Sequence, residues 1–193
     1  MSTTERSDTV RRLAAGTAGG LVAYVLGYLV VYATQLSRIG EELRGFNVFA
    51  DLFGGDPIPA WQAVGWVFYN AHLVATELPA PLGGTRVVNF IAETDAGSLT
   101  AMYVVPPVLL FVAGLLAGRI ASATEPTEGA LAGGLVAVGY LPLALFGVVA
   151  FGYSIGDGTI APVLLTAGLL AGIVYPAVFG ALGGTAGTLL GSE

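Results

Sequence analysis

The sequence predicts an all-α integral membrane protein: a bundle of four transmembrane helices in two parallel halves, with an external segment that carries an amphipathic interfacial helix. Three observations point there. Of 193 residues, 55% are hydrophobic and 10% charged, with a mean hydropathy of +0.80. Soluble proteins carry about 25% charged residues, and so apolar a chain has too little polar surface to cover a water-facing exterior. The charges also punctuate the chain, leaving uncharged runs between Arg12 and Arg38, Asp95 and Arg119, Glu128 and Asp157, and Asp157 and Glu193. A crossing needs about 20 apolar residues, because each rises about 1.5 Å through a hydrocarbon layer of about 30 Å. Finally, words from the first half of the chain recur in the second.

Taken in order, residues 1–12 form a cytoplasmic tail, since Arg6, Arg11 and Arg12 stand directly before the first apolar run. Residues 13–36 are the first transmembrane helix. Val31-Tyr32-Ala33 has the spacing of a cleavage site, but the apolar stretch is about twice a signal peptide's usual 7 to 15 residues, so the helix is expected to stay. Residues 37–98 form an external acidic segment with seven acids against three arginines. Within it, Val64, Val67, Phe68, Ala71, Val74, Ala75 and Leu78 recur at helical spacing, which predicts an amphipathic helix near 60–77. Trp61, Trp66 and Tyr69 suit a position at the membrane interface or across the bundle mouth. A fifth crossing there would put Arg119 on the opposite side from the N-terminal arginines. The stretch 85–91 is β-prone, although a lone hairpin would be marginal.

Residues 99–118 are the second transmembrane helix, 119–128 a cytoplasmic loop, 129–151 the third helix and 152–158 an external loop. Residues 159–190 are the fourth, with 191–193 as a cytoplasmic C-terminus. Proline removes a backbone donor and crowds the preceding turn, so Pro142 and Pro176 are candidate helix breaks, and a kink is expected near 176.

The repeat is explicit. Ala18-Gly19-Gly20-Leu21-Val22-Ala23 returns as Ala132-Gly133-Gly134-Leu135-Val136-Ala137, and Pro107-Val108-Leu109-Leu110 with 113–118 parallels Pro162-Val163-Leu164-Leu165 with 167–172. Parallel halves about an axis along the membrane normal would follow. Small residues also line single helix faces. Gly19 and Gly27 belong to such a stripe, beside a row of Gly20, Tyr24, Tyr28 and Tyr32; Gly114, Gly118, Gly168, Gly172, Gly180 and Gly184 extend the pattern. In lipid, apolar burial drives helices together weakly, so close backbone approach at glycine is the expected adhesive, within one bundle or between copies.

Chemistry is sparse. No expected crossing contains Asp, Glu, Lys, Arg or His, which disfavours proton relays, voltage sensors and many ion-coupled carriers. There is no cysteine and one histidine, His72. No P-loop, nucleophile elbow, zinc or dinucleotide motif occurs, so neither a metal nor a cofactor is expected. Asn70, His72 and Glu77 form the candidate interfacial polar cluster. All seven basic residues are arginine and the net charge is −6. That balance argues against nucleic acid, and acidic self-repulsion of this kind is screened at high salt.

The segment Pro59-Ala60-Trp61-Gln62-Ala63-Val64-Gly65-Trp66-Val67-Phe68-Tyr69-Asn70-Ala71-His72 resembles one found in uncharacterised small integral membrane proteins of halophilic archaea. The resemblance implies a halophilic source and transfers no activity. The expectation is therefore a multi-pass protein of the cell membrane, not an enzyme, whose partners are the lipid bilayer and a membrane protein or a second copy. It would serve as a structural or accessory subunit of a membrane assembly; the alternative is a small channel or carrier for an ion or polar solute.

Overall fold

The computed structural model describes residues 3–52, 56–80, 83–94 and 97–190. The expected C-terminal tail, 191–193, and Asp95 lie outside the described residues. Among those described, the chain is mostly helical, and four helical stretches are long and apolar enough to cross a membrane: Asp8–Val48, Ala101–Ile120, Pro126–Ala150 and Leu164–Leu189.

The first helix, α1, runs from Thr3 to Leu52, about 75 Å at 1.5 Å per residue. It continues well past 36, where the sequence suggested that it ends. Beyond the apolar run, Ile39 is buried and Leu43 packs on the core, one turn apart on one face, while Arg38 and Glu42 pair at 2.9 Å across the next turn. Helical pairing and a buried stripe thus persist with no proline or cap to stop the helix.

The helix α2 spans Ala60–Asn70, shorter than the expected 60–77. Its end is a Schellman motif: Val74 N donates to Tyr69 O at 3.1 Å and Leu73 N to Asn70 O at 2.9 Å. Leu73 holds the left-handed position with φ 61°, a place that glycine usually takes. The chain then enters strand β1, Thr76–Pro79, paired with β2, Thr85–Val88. Short helical turns at Gly97–Thr100 (α3) and Ala101–Val104 lead into α4, Val105–Ile120.

The third apolar run is broken, but not at Pro142. It divides into α5, Pro126–Gly134, and α6, Val136–Ala150, with Pro142 inside the second. The break falls at Leu135, directly after the helix-weakening pair Gly133-Gly134. Next, the expected loop at 152–158 and the first residues of the expected fourth helix form a hairpin, β3 Tyr153–Ile155 and β4 Gly158–Pro162, turning through Gly156 at φ 56°. β4 pairs with β1, Thr76 opposite Pro162 and Glu77 opposite Ala161. The β-prone stretch near 85 therefore has partners in a four-stranded antiparallel sheet, ordered β2-β1-β4-β3. A short α7, Leu164–Thr166, opens into a π-helix at Ala167–Val174, and α8 runs Tyr175–Leu189 with Pro176 in its first turn. The wider π turns lie where the proline has no N–H to give and its ring crowds the preceding turn.

The four long apolar stretches form a ring in which α1 contacts α4 and α6, and α8 contacts α4 and α5. Glycine sets the spacing. A Cβ on Gly180 would collide with the backbone of Gly133, one on Gly114 with Gly180, and one on Gly184 with Gly129, so α8 is held backbone to backbone between α4 and α5. Gly118 faces Gly184, while Gly168 and Gly172 face Leu145 and Leu141 of α6. The two copies of the Ala-Gly-Leu-Leu-Ala-Gly word thus meet different helices. The other pair diverges too: 18–23 is unbroken helix, whereas its counterpart contains the break at Leu135.

Candidate functional site

The sheet caps one end of the ring, and α2 fills the mouth beneath it. Every residue from Ala63 to Asn70 is buried, so α2 does not lie with one face to solvent as its apolar spacing suggested. Gln62, Trp66, Tyr69 and Asn70 turn their polar groups inward because each finds a backbone partner, which removes the penalty that would otherwise turn them outward. Gln62 Nε2 donates to Gly152 O at 2.8 Å and Trp66 Nε1 to Phe151 O at 2.7 Å, covering carbonyls at the end of α6. Tyr28 donates to Trp61 O at 3.1 Å.

Deeper in, Tyr69 donates its hydroxyl to Ala144 O and receives that of Tyr24 at 3.1 Å. Burial pushes the Tyr69 hydroxyl far above its ordinary range, so it acts as a neutral donor. Phe68 sits against Gly27 of α1, where a Cβ would come within 2.9 Å of its ring, and edge-on to Tyr24 at 5.1 Å. The Gly20, Tyr24, Tyr28 row of the sequence is the seam along which α1 receives α6 and α2.

His72 is fully buried. Its Nδ1 lies 2.8 Å from Phe68 O and its Nε2 lies 2.7 Å from the Tyr140 hydroxyl. A carbonyl only accepts, so Nδ1 carries the proton, and Nε2 accepts from Tyr140. The ring thereby caps a carbonyl that the helix end leaves open, because His72 N itself bonds Tyr69 O. Burial pushes its pKa down to about 4, against the smaller opposing effect of the Phe68 carbonyl. Tyr140 is anchored ten residues before the end of α6, about 15 Å along the helix. His72 is therefore a neutral group inside the bundle rather than at its rim.

The proposed cluster of Asn70, His72 and Glu77 does not assemble as one site. Asn70 has its own network: Nδ2 donates to Val74 O at 2.8 Å and Thr76 Oγ1 at 3.2 Å, while Oδ1 accepts Phe90 N at 2.8 Å. It locks the end of α2 to β1 and to the turn after β2. Glu77 is half-buried in β1. Sequence reasoning placed Tyr69 only as an amphipathic ring and gave neither it nor Tyr140 a hydrogen-bonding role, although their hydroxyls complete these networks. Their signal was present in part, as two tyrosines in apolar surroundings that must find partners when buried.

Chemically the arrangement is closed. Both His72 nitrogens are occupied, no group of three or more His, Cys, Asp or Glu among the described residues could hold a metal, and Tyr69, Asn70, His72 and Tyr140 do not line the groove between α1 and α4 or the two cavities that Trp66 and Phe90 border. At the opposite end Arg12 pairs with Glu128 at 2.7 Å, and Arg11 donates to Ala121 O at 3.0 Å.

These features fit a multi-pass α-helical membrane protein: four helices long and apolar enough to cross a membrane, with α2 filling the mouth between them. The chain belongs to DUF7978, a family of unknown function whose model matches residues 1–191. No curated protein and no solved structure matches it.

Proposed function

We infer that the protein is a non-catalytic subunit of a membrane assembly, anchored by its four crossing helices and presenting the sheet end to a partner. One observation carries this reading: α2 is buried throughout from Ala63 to Asn70, and its polar groups are spent on the protein's own backbone. A channel or carrier needs groups left over to line a path, and an enzyme needs a base or nucleophile facing space. In the proposed orientation the sheet end is external and both termini are cytoplasmic, with Arg6, Arg11, Arg12 and Arg119 on the inner side.

The test is purification in mild detergent from native membranes, with cross-linking from a cysteine placed at exposed Val87, followed by reconstitution into liposomes. A stoichiometric partner joined through the Val87 position, with ion flux equal to that of empty liposomes, is the expected result. Solute or ion flux above that background would replace this reading with the channel or carrier alternative.

A further inference from the structure

We propose that the seam between α1 and α4 seats one acyl chain of an anionic phospholipid, with its phosphate held between Arg11 and Arg119. The seam is an open groove of about 260 Å³ whose walls run from Ala15 to Leu26 on α1 and from Ile120 back to Leu109 on α4. Each wall covers eleven residue steps, about 16 Å of helix, which is one leaflet of a hydrocarbon layer about 30 Å thick. The groove stops there for a structural reason. Past Leu26, Gly27 meets Leu109 and the ring of Phe68, which α2 delivers to this level.

That length selects the occupant. A partner helix crosses both leaflets and would need the seam to stay open beyond Leu26, whereas an acyl chain starts at a headgroup and ends at the bilayer centre. The open end supplies the charge. Arg11 stands one turn before Ala15 on the groove side of α1, and its side chain is 46% exposed although it reaches Ala121 O at 3.0 Å. Arg119, exposed one residue before Ile120, makes no ion pair among the described residues. The carbonyl that Arg11 reaches is two residues beyond Arg119, so both guanidinium groups belong to the same end of the seam. Asp8, 3.5 Å from Arg11, offsets one of the two charges, and Arg12 is already paired with Glu128. A basic mouth on an apolar, leaflet-deep groove matches a phosphate ester with a hydrocarbon tail. The inference requires the helices to cross a bilayer, but neither orientation.

Native mass spectrometry of the detergent-purified protein, titrated with phosphatidylglycerol against phosphatidylcholine, tests it. Wild type should retain one phosphatidylglycerol in preference to phosphatidylcholine. Arg119→Gln should weaken that retention about fivefold and Arg11→Gln with Arg119→Gln about thirtyfold, at the attraction typical of an arginine near an anionic headgroup. Val112→Trp fills the groove from its exposed wall and leaves both arginines in place, and it should also abolish the preference. Arg119→Gln alters only an exposed side chain, so it reports even if the double variant folds poorly. Equal retention of the two lipids by wild type, a preference undiminished by Arg119→Gln, or one that survives Val112→Trp would each overturn the proposal.

Discussion

At the scale of single residues, His72 shows how a polar side chain is tolerated inside an apolar bundle. Its two nitrogens answer two groups that would otherwise be buried without partners, the Phe68 carbonyl and the Tyr140 hydroxyl. Protonation would replace the accepted bond at Nε2 with a second donor facing a hydroxyl, in a site that cannot solvate charge. The pH dependence follows in sign. The folded-state pKa, about 4, lies below the unfolded value near 6.5, so between the two the unfolded chain binds the extra proton. Stability from this residue is complete above about pH 6.5 and declines as pH falls toward 4, by an amount on the order of 3 kcal/mol. Unfolding midpoints in detergent at pH 7, 6 and 5 should fall for wild type, while His72→Gln should start lower and lose the slope in this window. An unchanged wild-type midpoint across these values would mean that His72 is not the buried neutral group described.

At the scale of elements, helix contacts are decided by where a Cβ can be accommodated. Gly180 lies where backbones touch, facing Gly133 on one side and Gly114 on the other; Gly134 looks toward Ala177 O at 3.9 Å, and Gly168 has only the flexible end of Leu145 at 3.3 Å. Gly180→Ala should therefore force α8 away from Gly133 and Val136, at a cost of about 2 kcal/mol, within the range of overpacked cores. Gly134→Ala should be neutral or slightly favourable, because alanine is the better helix former. Thermal midpoints of the two variants, measured side by side, check this ranking, and equal losses would refute it. The crossing segments were legible in the sequence because twenty apolar residues between charges have few other uses. The partners of each glycine were not, since identical words can face different helices: Gly114 meets α8, whereas Gly168 meets α6. The same limit applied to α2. Its spacing gave a helix, but partners that let Gln62, Tyr69, Asn70 and His72 turn inward lie on α6, just after it at Gly152, and in the turn at Phe90, 20 to 90 positions away in sequence. The β3–β4 hairpin was hidden for a related reason, because Thr159 to Pro162 reads as the start of an apolar helix until β1 is available to pair with it.

For the whole molecule, if its four long apolar helices each cross a bilayer, the sheet imposes one arrangement of the ends. An even number of crossings returns the chain to the side where it began, and β1 pairs with β4 across the gap between the segment after α1 and the segment after α6. Both segments must then lie on the same side of the bilayer. Arg11, Arg12 and Arg119 stand at the end opposite the sheet, and the orientation proposed above, with that end cytoplasmic, rests on the positive-inside bias. Because the chain has no cysteine, single replacements give an unambiguous reading in intact cells. Cysteine at exposed Glu93 or Asp157 should react with an impermeant thiol reagent, and cysteine at exposed Thr124 should react only after the membrane is opened. Reaction at Thr124 in place of Glu93 and Asp157 would invert the proposed orientation while keeping the fold. Opposite behaviour of Glu93 and Asp157 would be more serious, because two segments joined in one sheet cannot sit on opposite sides of a bilayer.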